Sequence, residues 1–170
     1  MSDLKKIQIY TDGGSIGNPG PGGYGVIIKY KEKVKELSGG YKLTTNNRME
    51  LTAAIIGLSS LKERCEVTLY TDSQYLANGI NEGWAERWKE KGWKRNKKDK
   101  AENIDLWDKL LNLISKHEVK IEWIRGHAGH PENERCDKLV REAAAKKHLP
   151  EDEGYIKEGN MENGLWEMGF

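Results

Sequence analysis

The chain has 170 residues, 36% of them hydrophobic and 32% charged, and that length accommodates one ordinary core, not two. Its net charge of +1 hides a segregation: residues 87–100 hold eight basic side chains against Glu90 and Asp99, while residues 150–170 hold six acids against Lys157 alone, which points to a polyanionic partner. No apolar run approaches the roughly eighteen residues needed to cross a bilayer, and the opening MSDLKKIQIY lacks a signal peptide's apolar stretch, so a cytoplasmic protein with no membrane role is expected.

Residues 5–10 alternate, with Ile7 and Ile9 apolar, and reach Thr11-Asp12-Gly13-Gly14, which predicts a strand running into a turn. The Gly/Pro-rich stretch 17–23 predicts a loop, and 24–30 and 34–43 predict two more strands in an antiparallel meander. Thr44, Thr45, Asn46 and Asn47 are capping residues; Met49, Ala53, Ile56 and Leu61 follow at roughly helical spacing, so a helix is expected over 45–62. Residues 66–70 are rich in β-formers and end in Thr71, Asp72, Ser73, repeating the Tyr-Thr-Asp ending at 10–12. The intervening helix is a crossover that makes the first and fourth strands parallel neighbours, which sets Asp12 beside Asp72.

Farther along, Ile104, Trp107, Leu110, Leu111 and Ile114 mark an amphipathic helix, and 119–124 a fifth strand. Pro131 opens a last helix whose apolar stripe is Cys136, Leu139, Val140 and Ala143. Cys65 and Cys136, with no secretory signal, read as reduced core thiols. The order βββαβααβα predicts an α/β domain with a mixed five-stranded sheet and helices on its faces.

In such sheets functional groups gather at the C-terminal ends of parallel strands, where Asp12 and Asp72 are expected. Glu50, near the start of the first helix, and Asp137, at the edge of the last helix's stripe, can join them. Singly, each is a turn former or a solvated helix residue; together, four carboxylates would be driven toward protonation by desolvation and mutual repulsion, a conflict that a divalent cation resolves. All-oxygen ligands favour Mg²⁺ or Mn²⁺ over zinc. Phosphodiester hydrolysis is the natural reaction, two ions about 4 Å apart serving the attacking water and the leaving oxygen. His127, in a Gly-rich loop, suits proton movement. Zinc at His127, His130 and Cys136 lacks a fourth ligand. The 17–23 loop lacks the P-loop lysine, so no small-molecule cofactor is expected.

Five motifs occur together and in order: Asp12-Gly13-Gly14-Ser15; Gly17-Asn18-Pro19-Gly20-Pro21-Gly22-Gly23-Tyr24-Gly25; Thr45-Asn46-Asn47-Arg48-Met49-Glu50; Thr71-Asp72-Ser73-Gln74-Tyr75; and the run from Gly126-His127 to Cys136-Asp137. From about residue 5 to 145 the chain resembles type 1 ribonuclease H in its bacterial form. The resemblance implies a ribonuclease H-like fold, a catalytic domain over 1–149 and an endoribonuclease acting on the RNA strand of RNA/DNA hybrids, leaving 5′-phosphate and 3′-hydroxyl ends. It also implies that Asp12, Glu50, Asp72 and Asp137 are metal ligands and that His127 assists proton transfer or product release.

Telling RNA from DNA requires contact with the 2′-hydroxyl in the shallow minor groove, work suited to the backbone at Gly13 and Gly14 and the amides of Asn18, Asn46, Asn47 and Gln74. Thr45 resembles a position that contacts a DNA phosphate, and a helix N-terminus favours anions. Residues 84–100 interleave Trp84, Trp88 and Trp93 with bases that include Lys89 and Lys91; they resemble the family's basic protrusion, departing from it by an extra residue near Gly83 and by Glu90. The acidic extension 150–170 carries Leu165, Trp166, Met168 and Phe170, which are expected to anchor it on a monomeric domain. Two other readings share these features. An inactive hybrid-binding module is disfavoured by the four carboxylates with His127, and a DNA nuclease or transposase of the same fold by Asn46-Asn47 and the protrusion.

Overall fold

Alternation along β1 (Lys5–Ser15) turns Ile7 and Ile9 into the core in the computed structural model, which describes residues 3–96 and 99–162. β1 pairs antiparallel with β2 (Gly20–Tyr30), and β2 in turn with β3 (Lys33–Thr44). α1 (Asn46–Ser59) crosses over to β4 (Cys65–Thr71), which lies parallel to β1, and β5 (Glu118–Trp123) continues the parallel half. The sheet order is β3-β2-β1-β4-β5, the mixed five-stranded ribonuclease H-like arrangement that the sequence implies. Between β4 and β5 come α2 (Gln74–Asn81), α3 (Trp84–Glu90) and α4 (Ile104–Ser115); α5 (Pro131–Ala144) and α6 (Glu153–Glu162) follow β5.

Two layers of packing cover the sheet. Ile9, Val26, Leu69 and Val67 form the main core with Leu51, Leu58 and Ala54 of α1 and the fully buried Trp107 of α4. On the other face Ile27 packs with Cys136 and Leu139 of α5. Both cysteines are buried and free, as expected of core thiols.

The glycine stretch departs from expectation. Only 16–19 is loop; β2 already begins at Gly20, and β1 runs past Asp12 to Ser15 because its antiparallel ladder continues to Ser15–Gly22 after the parallel ladder with β4 has stopped at Thr11–Thr71. The glycines serve close approach here: a Cβ at Gly25 would meet the Cys136 carbonyl oxygen of α5 at 2.7 Å. α1 ends at Ser59, three residues short of the expected end, with Ser60 as its C-cap. There are also more helices than the pattern predicts. α2 is capped by Ser73, whose hydroxyl accepts from the Leu76 N–H at 3.1 Å. α6 has no apolar stripe to announce it.

What holds α6 is charge. Arg48, 1% exposed in the first turn of α1, donates from Nε to Asp152 Oδ2 at 2.7 Å and from Nη2 to Asp105 Oδ2 at 2.7 Å, with Glu158 Oε2 at 3.6 Å from Nη1. Asp152 also accepts from the Thr44 hydroxyl at 2.7 Å, and the Lys42 N–H reaches the Pro150 carbonyl at 2.9 Å. Burial opposes the guanidinium charge, but hydrogen bonds to Asp105 and Asp152 outweigh it and raise its pKa. The extension is therefore anchored by polar contacts of Pro150, Asp152 and Glu158; Leu165, Trp166, Met168 and Phe170 lie outside the described residues.

Candidate active site

The parallel register pairs Thr11 with Thr71, so the next residues, Asp12 and Asp72, emerge side by side at the strand ends. Glu50 arrives from α1, whose start is fixed by Thr45: its hydroxyl accepts from the Arg48 N–H at 3.2 Å. Oxygen atoms of Asp12, Glu50 and Asp72 all lie within 4.8 Å of one another. Gly13 makes this convergence possible, since a Cβ there would overlap the Met49 carbonyl carbon and the Glu50 backbone nitrogen. Gly13→Ala is expected to push α1 away, to cost about 1–3 kcal/mol in urea unfolding and to weaken divalent-cation binding measured by calorimetry.

The electrostatics are adverse without a cation. Burial first, and then the Asp72 charge, push Asp12 up to about 8. Glu50 is driven well above the usual carboxylate range by burial, Asp12 and Asp72, against which a hydrogen bond from the Gly13 backbone pulls the other way. Glu50 Oε1 is buried with no hydrogen-bond partner. Three crowded carboxylates, one with a buried oxygen that has no partner, fit a hard divalent cation, which supplies the missing partner and removes the repulsion.

The remaining residues surround this group. Asp12, Glu50, Asp72, His127 and Asp137 line one open cavity of about 460 Å³, together with the Gly13–Gly14 backbone and Arg141. Asp137 lies outside the three-carboxylate group and accepts from Arg141 Nε, one turn on, at 3.0 Å. His127 holds a left-handed backbone (φ 55°) between Gly126 and Gly129, in a loop that passes close to Asp72: a Cβ on Gly126 would meet Asp72 Oδ2 at 2.7 Å. Cys136 is fully buried with its thiol toward the Tyr10 carbonyl, and among the described residues the three-carboxylate set alone is suited to a metal ion.

Sequence reasoning missed two groups that hold Asp72. Asn133, 4% exposed, donates a long hydrogen bond of 3.5 Å to Asp72 Oδ2, and Trp123 Nε1 donates to the Asp72 carbonyl at 3.0 Å. Trp123 ends the strand beside β4, a placement legible from topology; Asn133 sits one turn before Asp137 inside the quoted motif.

The expected substrate residues divide into three places. Gly13, Gly14 and Asn46 border the carboxylate cavity, with Asn46 Oδ1 accepting from the Ser15 N–H at 2.7 Å. Asn18, Thr45 and Asn47 line a separate cavity of about 300 Å³ at the start of α1, and Asn18 Oδ1 accepts from the Asn46 N–H at 3.1 Å. Gln74 is exposed at the start of α2. In the protrusion Trp84 and Trp88 have ring centroids 6.3 Å apart, and Trp88 meets Trp107 edge-on at 6.1 Å. Trp88 and Trp93 pack partly against the main core, whereas Lys89 pairs with Asp108 at 2.9 Å and Lys91 is exposed.

Comparison with known proteins agrees with this geometry. The RNase H family profile matches residues 4–145. The chain is 62% identical to the ribonuclease H of Syntrophus aciditrophicus over 151 residues, 89% of this chain and 87% of that one. It is 55% identical to that of Klebsiella pneumoniae subsp. pneumoniae over 91% of this chain and 99% of that one. Among solved structures, LC9-RNase H1, a type 1 RNase H with the type 2 active-site motif, superposes with a TM-score of 0.74 at 31% identity over 85% of this chain and 74% of that one. LC11-RNase H1 in complex with RNA/DNA hybrid gives 0.63 at 28% identity, covering 81% and 96%. Among the described residues no helix is long and apolar enough to cross a membrane. With the Asp12, Glu50 and Asp72 constellation seated on this sheet, and with these relatives matching along nearly the whole chain, the protein belongs to the RNase H family as a type 1 ribonuclease H of the bacterial kind.

Proposed function

We propose that this ribonuclease H cuts the RNA strand of RNA/DNA hybrids with Asp12, Glu50, Asp72 and Asp137 as its metal-holding residues and His127 as its proton-moving residue, leaving 5′-phosphate and 3′-hydroxyl ends. The observation that carries the reading is the buried three-carboxylate group with the orphaned Glu50 oxygen, in a chain of this family. Mg²⁺, or Mn²⁺ in its place, supplies when bound an activated water and charge stabilisation for the leaving oxygen. The chain's own groups do the rest. Asp12 and Asp72 on the rigid sheet and Glu50 on α1 present a preset anionic pocket, tightened by the Gly13 hydrogen bonds. Asn133 and Trp123 fix Asp72, and Arg141 holds Asp137 at the cavity edge until it is needed.

His127 stands on a glycine-flanked loop, able to swing and take a proton at its imidazole. Gly13, Gly14, Asn18, Asn46, Asn47 and Gln74 meet the RNA side of the minor groove. Thr45 and the protrusion with Trp84, Trp88, Lys89, Lys91 and Trp93 meet the DNA strand's phosphates and sugars. The catalytic unit extends to about residue 149, the 150–170 extension is an accessory to it, and the enzyme works as a cytoplasmic monomer.

The variants separate these roles. His127→Ala is expected to lower kcat by about 10²-fold with hybrid affinity unchanged. Asp72→Asn leaves no measurable cleavage. Steady-state kinetics on a labelled hybrid, with end analysis of the products, checks both. Products bearing 5′-hydroxyls, or an unaffected His127→Ala enzyme, would overturn the assignment.

A further inference from the structure

The carboxylate cavity has one wall of a different character. Its carboxylates, His127 and Arg141 are polar, yet Ile16, Val140 and Ala144 line it too. Val140 and Ala144 are buried residues of α5, whereas Ile16 is 59% exposed. Single exposed apolar side chains are common on protein surfaces and carry no meaning by themselves. What sets Ile16 apart is that its backbone is held in place. The Ile16 N–H donates to the Pro21 carbonyl at 2.7 Å, and the preceding Ser15 donates from its N–H to Asn46 Oδ1 at 2.7 Å and from its hydroxyl to the Gly17 carbonyl at 2.5 Å. On the far side of Ile16, Asn18 Oδ1 accepts from the Asn46 N–H at 3.1 Å. Gly20 lies so close that a Cβ there would overlap the Ile16 carbonyl oxygen. A loop tied on both sides of Ile16 keeps the side chain at the cavity rim and in water, a cost that is recovered when an apolar surface covers it.

We infer that Ile16, backed by Val140 and Ala144, is a substrate contact: an apolar rest for a ribose of the RNA strand beside the phosphate that is cut. The inference rests on the reading of this cavity as the seat of the hybrid's RNA strand. The occupant follows from the neighbouring groups. Gly13, Gly14 and Asn46 border the same cavity and suit the 2′-hydroxyl edge of a sugar in the shallow minor groove. The same sugar also presents a carbon–hydrogen face, and Ile16, two residues beyond Gly14, suits that face. Such a contact is uncharged, so the affinity it adds does not depend on releasing counterions, unlike that of a lysine on a phosphate. It is also made equally in the ground state and the transition state, so it acts on KM and leaves kcat unchanged.

The test uses the full-length protein. Ile16→Ser removes the apolar surface and Ile16→Leu restores it. Val34→Ser is the control, for Val34 is also 59% exposed but lies at the other end of the sheet, opposite Lys29, which itself pairs with Gln8, four residues before Asp12. Hybrid Kd is measured by fluorescence anisotropy in chelator at several salt concentrations, and KM and kcat with Mg²⁺. Ile16→Ser is expected to weaken binding by about three- to tenfold and to raise KM by a similar factor, with kcat and the thermal midpoint unchanged. The slope of log Kd against log salt should match that of the parent, and Ile16→Leu should recover most of the affinity. Should Ile16→Ser lower the thermal midpoint, Ile16→Thr, which keeps the branched shape, is judged by the same criteria. An affinity equal to that of Val34→Ser, a changed salt slope, or a fall in kcat alone would overturn the inference. Binding and cutting of the hybrid by the parent enzyme in the same preparation keep this outcome separate from any failure of the proposed function.

Discussion

Asp12→Asn is expected to abolish cleavage, by at least about 10³-fold or roughly 4 kcal/mol of barrier, while making the metal-free protein more stable at neutral pH. The two effects have one cause. Asp12 is 7% exposed, and burial together with Asp72 pushes its carboxyl up to about 8, against about 4 in an unfolded chain. The folded state thus holds the proton more firmly than the unfolded one. That contribution to stability is complete below the unfolded pKa and is lost as pH rises through about 8. Glu50 shifts in the same direction. An asparagine at position 12 carries no charge to repel its neighbours, so the stability difference between variant and parent should widen from pH 5 toward pH 8 in chelator. Saturating Mg²⁺ should narrow it by stabilising the parent. Urea midpoints across that range check the claim; a gap that stays constant with pH would contradict it.

Arg48→Ala is expected to lower stability by about 3–5 kcal/mol, because it strands the buried Asp152 and uncouples Asp105 and Glu158 at once. At about 2–4 °C per kcal/mol for a chain of this size, the thermal midpoint should fall by about 10 °C or more. Arg48→Lys should recover little, since a single ammonium cannot reproduce the fork that meets Asp105 with Nη1 and Nη2 and Asp152 with Nε and Nη2. The exposed pair Lys138–Glu142, 4.0 Å apart, provides the comparison, and removing Lys138 should cost less than about 1 kcal/mol. If Arg48→Ala costs no more than Lys138→Ala, the network does not hold the extension.

The sequence made the placement of Asp12 and Asp72 legible because a period-2 run, a crossover helix and a repeated strand ending are all local signals that topology converts into adjacency. Glu50 and the Pro131 helix start were legible for similar reasons. Gly23 and Gly25 were not, since glycine normally punctuates turns, and the true reason for them is a helix 110 or more residues away pressed against β2. Arg48 sits inside a quoted motif, yet its partners lie 57 and 104 residues along the chain, where no periodicity points. α6 escaped for the same reason: ion pairs hold it, and a hydrophobic stripe does not. Trp88 and Trp93 show a third limit, for an aromatic amid basic residues can serve the core and the surface together.

The central claim is that Asp12, Glu50 and Asp72 form a cation-dependent site for cutting hybrid RNA. Its most direct test is cleavage of a labelled RNA/DNA hybrid, with duplex RNA and duplex DNA as controls, by the parent enzyme and Asp72→Asn, with Mg²⁺ and with chelator. The account predicts cutting of the RNA strand of the hybrid alone, by the parent alone and only with the cation. Cleavage that survives chelation or the Asp72→Asn change, or that extends to duplex DNA, would contradict it.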